Sequence, residues 1–262
     1  MPMLRKGENE IEYFVDGKGP ALILVHGTGG NAETNWSSLT PQLARRRTIV
    51  RPNYSGSGAT LDDEEPLTIE KLGDEVIAVA DALDLATFDL VGFSLGAAVT
   101  TYVAARYPSR LRKLVLIAGF SSSEDSRLHL QFELWKRLID IDKRAAADLI
   151  LLTGFSPEWL SNRTYDELVE TSEAIVAGNN WDGMRRQVEL NLTVDTRAYI
   201  HKIVSPTLII GCTHDHMVSP SHSRELERLL VSGQYRELSS GHLAPLETPD
   251  ALVQLMLAFL DS

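Results

Sequence analysis

The segment Gly92-Phe93-Ser94-Leu95-Gly96 sets a serine between glycines two residues away on either side. The apolar pair Leu90-Val91 precedes it, and a helical pattern over residues 94–107 follows. A serine in such a strand-to-helix turn has a strained backbone and needs small neighbours two positions away. Its Oγ is pushed out of the sheet, and the Leu95 N–H is left at a helix N-terminus that favours negative charge. The plain alternative is an ordinary turn with an N-cap serine; the position between strand and helix favours a nucleophile. His26-Gly27-Thr28-Gly29-Gly30 directly follows the apolar run Ala21-Leu22-Ile23-Leu24-Val25. Its small residues let the backbone bend toward Ser94, so that the Thr28 N–H can join that of Leu95 against a developing oxyanion. A phosphate-binding loop is the other reading, but no GxGxxG pattern or Lys-Ser/Thr ending supports it. A serine hydroxyl is a poor nucleophile unless a base takes its proton, and a histidine base needs an acid on its other nitrogen.

Together these segments resemble the α/β-hydrolase superfamily, and the resemblance covers essentially the whole chain. It implies the chain order Ser, acid, His. Asp215 lies in the loop Thr213-His214-Asp215-His216-Met217-Val218-Ser219-Pro220, after a strand-like stretch at 207–211, where the family typically carries its acid. Gly241-His242 follows the strand-like Tyr235-Arg236-Glu237-Leu238 and precedes the last helix, where the family carries its base. The implied catalytic set is Ser94, His242 and Asp215, with the backbone N–H groups of Thr28 and Leu95 as the oxyanion hole. The implied activity is hydrolysis of a small-molecule ester, lactone or thioester through an acyl-enzyme, with no cofactor and no metal. The same constellation also serves C–C bond hydrolases, acyltransferases and cofactor-free lyases or oxygenases, and a ligand-binding receptor on this fold is the non-catalytic rival. Glu124 or Asp125, after the strand ending near Gly119, is an alternative acid. Arg51-Pro52-Asn53-Tyr54-Ser55-Gly56-Ser57-Gly58 departs from the family's Arg-Gly pattern at Asn53-Tyr54-Ser55, and a structural role is expected for it.

Other reactive side chains are weaker candidates. His214-Asp215-His216 has two histidines two residues apart and no partner motif, which is poor support for a metal site. His129, His201 and His222 read as ordinary surface or core histidines. Cys212, at a strand end, reads as a small buried residue that lacks an elbow.

The elements that must position these groups alternate. Strand-length apolar runs at 21–25, 48–50, 90–91, 114–117 and 207–210 are separated by helical patterns at 68–85 and 94–107. Further helices are expected at 221–230 and 249–260. This alternation predicts an α/β fold with a mostly parallel sheet covered by helices on both faces. Ile11-Glu12-Tyr13-Phe14-Val15 reads as an antiparallel hairpin strand at the sheet edge. Residues 121–195 carry helical periodicity without a convincing strand, and are expected to be a helical lid inserted into a core of 1–120 and 196–262. Phe132, Trp135, Trp159 and Trp181 lie in that insert and are expected to line an apolar acyl pocket.

The 262 residues are 44% hydrophobic, ample material for a core without disulfides or a structural metal. A formal net charge of -11 repels phosphate backbones, so nucleic acid is not an expected partner; a small-molecule acyl substrate is. One cysteine excludes a disulfide framework. No apolar run approaches a membrane span, and the first ten residues lack the apolar core of a secretory signal, so a cytoplasmic location is expected. Oligomeric state is left open.

Overall fold

Every residue of the strand Ala21–Val25 is buried, and its side chains alternate between two apolar layers. Ile23 and Val25 face one layer, Leu22 and Leu24 the other. This period of two is what a strand covered on both faces requires. A computed structural model describes residues 2–7 and 9–262. Among these, the strands are β1 (Met3–Lys6), β2 (Asn9–Asp16), β3 (Ala21–Val25), β4 (Thr48–Pro52), β5 (Phe88–Phe93), β6 (Leu111–Ile117), β7 (Thr207–Cys212) and β8 (Gly233–Leu238). They form one sheet in the order β1-β2-β4-β3-β5-β6-β7-β8. From β4 to β8 all pairings are parallel, while β1 and β2 are antiparallel to their neighbours. The chain therefore has the expected α/β architecture. One local expectation is corrected. The 11–15 strand is antiparallel but internal, because β1 pairs outside it and takes the edge.

One layer packs the helices Ile69–Ala82 and Leu95–Arg106 against the sheet, and the other packs Trp36, Leu39, Leu43 and the helix Pro249–Leu260. Local sequence sets the helix starts. Thr68 caps Ile69–Ala82 by accepting from the Lys71 N–H, a bond whose loss typically costs about 1 kcal/mol.

Between β6 and β7 the described residues form the helices Ser126–Ile141, Lys143–Gly154, Pro157–Ser161, Tyr165–Gly178, Trp181–Asn191 and Arg197–Ile200. Asp125, Asp142, Ser156, Thr164 and Asn180 each accept a backbone N–H three residues on and so cap the first five. This segment leaves and rejoins the sheet at one neck. Ser122 and Asp195 form an antiparallel bridge, and the Thr196 N–H donates to the Ser121 carbonyl at 2.7 Å. No helix among the described residues is long and apolar enough to cross a membrane.

Candidate active site

Ser94 ends β5 and opens the helix Leu95–Arg106 with φ 54° and ψ -120°. A non-glycine residue there is strained by about 1–3 kcal/mol, and surrounding structure must hold it. Here the Ser94 N–H donates to the Ile117 carbonyl at 2.9 Å, extending the ladder to β6, and its carbonyl accepts from the Ala97 N–H at 2.9 Å. The two flanking glycines are required by close approach. A Cβ on Gly92 would sit 2.3 Å from the Gly96 carbonyl oxygen, and one on Gly96 would sit 2.3 Å from the Val25 carbonyl oxygen. The helix start thus nests on the end of β3, which brings the 26–30 loop alongside. A Cβ on Gly27 would lie 3.0 Å from the Ser94 Cβ.

Ser94 Oγ lies 3.0 Å from His242 Nε2, and His242 Nδ1 lies 2.7 Å from Asp215 Oδ2. Asp215 carboxylate can only accept, so Nδ1 carries the ring proton and Nε2 is free to accept from the serine O–H. The other carboxylate oxygen, Oδ1, accepts from the N–H groups of Met217 and Val218 at 2.8 and 2.7 Å. Asp215 is thereby fixed on both sides, and its side chain is fully buried. The loop after β7 is itself tied to the loop after β8, since the His214 N–H donates to the Ser240 carbonyl at 2.9 Å. Two further groups hold the His242 loop. Glu247 Oε2 accepts from the Gly241 N–H at 3.1 Å, and the Leu243 N–H donates to the Gly154 carbonyl at 2.8 Å.

The 26–30 loop is a turn closed by the Gly30 N–H on the Gly27 carbonyl, with Gly29 at φ +70°. The amides of its three glycines are partnered. The Gly27 N–H donates to Asn35 Oδ1 at 2.9 Å and the Gly29 N–H to Gln187 Oε1 at 2.8 Å. Among the described residues the N–H groups of Thr28 and Leu95 have no hydrogen-bond partner. Beneath the turn, Tyr54 stacks on the His26 ring at 3.9 Å, and its hydroxyl donates to the carbonyls of His26 and Gly27. The unusual Asn53-Tyr54-Ser55 stretch is therefore a support for this turn. Asn53 Oδ1 accepts from the Ala32 N–H at 2.7 Å, and Ser55 binds the buried Glu75. Burial pushes the His26 imidazole down to about 4, so it is neutral.

A cavity of about 310 Å³ opens on Ser94 and His242. Its walls include Phe132, Trp135, Ile150, Phe155, Ile175 and Met184, and among the described residues none of its lining side chains is Asp, Glu, Lys or Arg. Phe132 and Trp135 thus lie where the sequence places a pocket wall, but Trp159 and Trp181 do not. Trp159 stacks on Phe155 at 3.6 Å with the Arg163 guanidinium 3.2 Å from its ring centre. Trp181 is buried and donates its indole N–H to the Val176 carbonyl at 2.9 Å. Where these two helices sit relative to the cavity is set by packing, which periodicity does not reveal. The alternative acids are also elsewhere: Asp125 caps a helix through the Leu128 N–H, and Glu124 pairs with Arg197. Cys212 is buried, and its burial with the charge of Asp215 pushes the thiol well up. No group of three or more potential metal ligands occurs among the described residues, His214 and His216 included.

Sequence reading missed Asn35, Gln187 and Asn191, the amide side chains that hold the turn. A signal was present for two of them. Trp181, Met184, Val188 and Asn191 share one helical face with Gln187 at its border, and two uncharged amides in an apolar register need a polar partner.

The sequence profile described as alpha/beta hydrolase fold matches residues 20–249. The pyrrolizixenacetamide deacetylase of Xenorhabdus hominickii is 46% identical over 99% of this chain and 98% of its own length. Among solved structures, an alpha/beta hydrolase enzyme from a Medee basin deep-sea metagenome library superposes with a TM-score of 0.92 at 20% identity, covering 100% of this chain and 98% of that one. The enol-lactonase from Burkholderia xenovorans LB400 gives 0.88 at 23% identity, with 100% of both chains covered. These two structures share the fold. With its elbow serine, its strand order and this profile match across most of its length, the chain belongs to the alpha/beta hydrolase fold family.

Proposed function

We propose that this hydrolase removes a small acyl group from a neutral small molecule through an acyl-enzyme on Ser94. The observation that carries the reading is the continuous relay from Ser94 Oγ through His242 to the buried Asp215. Ser94 attacks the acyl carbon as His242 Nε2 takes its proton. Asp215 holds the ring in the required tautomer and stabilises the imidazolium. The unpartnered N–H groups of Thr28 and Leu95 donate to the developing oxyanion, a donor pair in which each member can be worth about 2.7–4 kcal/mol. His242 then protonates the leaving group, and in a second cycle activates the water that frees Ser94.

The cavity supports a neutral substrate. A carboxylate or ammonium buried there would find no opposite charge on the lining side chains, and an unpaired buried charge is strongly disfavoured. Residues 121–195 act in this reading as a lid over a core of 1–120 and 196–262, supplying most of the apolar wall. Esters, lactones and thioesters are the substrates read from sequence. The relative at 46% identity, named as a deacetylase of an acetamide, favours a second reading in which the scissile bond is an N-acetyl amide.

A fluorophosphonate should add one mass increment on Ser94, and Ser94→Ala should lower turnover of p-nitrophenyl acetate by on the order of 10⁴-fold or more. Turnover that survives Ser94→Ala but disappears in His242→Ala would sink the acyl-enzyme reading. Assaying neutral N-acetyl amides beside the matching esters separates the two substrate readings.

A further inference from the structure

We propose that Gln187 and Asn191, four residues apart on the helix Trp181–Asn191, are positioning residues that aim the oxyanion loop from the side of the insert. The inference rests on the reading of Ser94 as nucleophile and Thr28 as oxyanion donor. Gln187 is fully buried. Its Oε1 accepts from the Gly29 N–H at 2.8 Å, and its Nε2 donates to Ser57 Oγ at 2.7 Å. Asn191, one turn later and also buried, donates from Nδ2 to Thr28 Oγ1 at 2.8 Å. Spacing by four puts both amides on one helix face, so a single rigid element grips two consecutive loop residues.

The loop needs this grip because it is built to be pliable. Gly27, Gly29 and Gly30 leave its peptide planes free to rotate, and glycine populates the left-handed region without penalty. A rotation of the peptide between Gly27 and Thr28 would turn the Thr28 N–H away from Ser94. Asn35 Oδ1 holds the Gly27 N–H from the core, and Gln187 Oε1 holds the Gly29 N–H from the insert. With the amides on both sides directed outward, the one between them keeps its direction. Neutral amides do this without placing a negative charge beside the developing oxyanion, which a carboxylate acceptor would. Replacing Gln187 by an apolar residue leaves the part-buried Gly29 N–H without its acceptor and frees the peptide to rotate.

The test compares wild type, Gln187→Leu, Asn191→Ala and Ser94→Ala on p-nitrophenyl acetate. A trifluoromethyl ketone, which forms a tetrahedral adduct, and the matching methyl ketone, which reports ground-state binding, serve as inhibitors. In Gln187→Leu, kcat should fall roughly 100-fold with KM within about threefold, as expected for a displaced transition-state contact. Trifluoromethyl ketone affinity should fall by the same factor while methyl ketone affinity changes by less than about threefold. Asn191→Ala keeps the Gly29 bond and should lose roughly tenfold in the same pattern; it carries the comparison alone if Gln187→Leu does not fold. Equal weakening of both ketones, or of neither, overturns the positioning role. Turnover that depends on Ser94 but is unchanged in both helix variants overturns only this inference, whereas turnover that survives Ser94→Ala overturns both it and the reading it rests on.

Discussion

His26 illustrates what burial does to a single side chain at this site. Its Nδ1 lies 2.9 Å from the Gly27 carbonyl, which can only accept, so the ring is neutral with its proton on Nδ1. Among the described residues Nε2 is buried without a partner. Desolvation is the dominant cause of its lowered pKa, about 4 in the fold against 6.5 when free, and the bond to Gly27 opposes it only in part. Between these values the unfolded chain binds a proton that the folded chain does not. The contribution is therefore fully present above about pH 6.5 and is lost as the pH falls toward 4, by roughly 2–3 kcal/mol. His26→Asn keeps a donor near Nδ1 and cannot titrate. Urea unfolding at pH 7 and pH 4.5 should show a smaller drop for this variant than for wild type, and equal drops would mean that His26 is not the titrating group. Ser94 was legible as a candidate at this scale because it stands between two glycines in a strand-to-helix turn, and His242 because its place before the last helix matches where the resembled family carries its base. Among the supporting amides, Asn35 was not, because nothing in the neighbouring residues says which way it points, and the register of Gln187 and Asn191 showed only that they face inward, not what they meet.

The helices of the insert differ in how firmly they are tied to the core. Trp181–Asn191 is docked on the loop after β4. Gly183 meets Gly56 so closely that a Cβ there would lie 2.0 Å from the Gly56 carbonyl oxygen, and Arg186 binds both oxygens of Asp62 at 3.0 Å. The junction after Lys143–Gly154 grips the His242 loop, with the Ser156 N–H donating to the same Glu247 carboxylate that holds Gly241. Tyr165–Gly178 buries only Ser172. Substitution of glycine by alanine should read this difference. Gly178→Ala meets nothing within 4 Å and should be neutral or stabilising by up to about 1 kcal/mol. Gly183→Ala, normally also favourable in a helix, should instead destabilise by about 1–3 kcal/mol through overpacking. Urea midpoints of the two variants test the contrast, and similar midpoints would mean that the helix shifts freely on the loop. Trp181–Asn191 is thus tied to the 26–30 loop through Gln187 and Asn191 as well as to the loop after β4.

At the scale of the whole molecule the cavity is a shared construction. Phe93, Ser94 and His242 come from the sheet ends, Phe132, Trp135 and Ile175 from the insert. Its volume of about 310 Å³ exceeds what an acetyl group fills, so the remainder is available to a longer acyl chain or to an apolar leaving group. Ala174 is on the wall. Ala174→Phe should lower kcat/KM for p-nitrophenyl hexanoate by roughly tenfold or more while leaving the acetate ester within about threefold. An unchanged chain-length profile would show that substrate does not enter this part of the cavity. The absence of lining charges also predicts that adding a carboxylate to the acyl chain weakens kcat/KM, the reverse of what a site for acidic substrates would give.

By itself the sequence determined the alternating strands and helices and the strand-to-helix turn that carries Ser94. All of these depend on contacts within a few residues or on a period of two or 3.6. It also placed Phe132 and Trp135 on an inward face, because Ser126–Ile141 is long enough for periodicity to define one. Only the tertiary structure decided that Asp215 and not Asp125 meets His242, since both follow a strand and only packing brings one of them within 2.7 Å. It alone turned Trp159 and Trp181 away from the cavity and set Gln187 against a loop 158 residues earlier in the chain. Contacts of that range are chosen by how whole layers pack, and no local pattern encodes them.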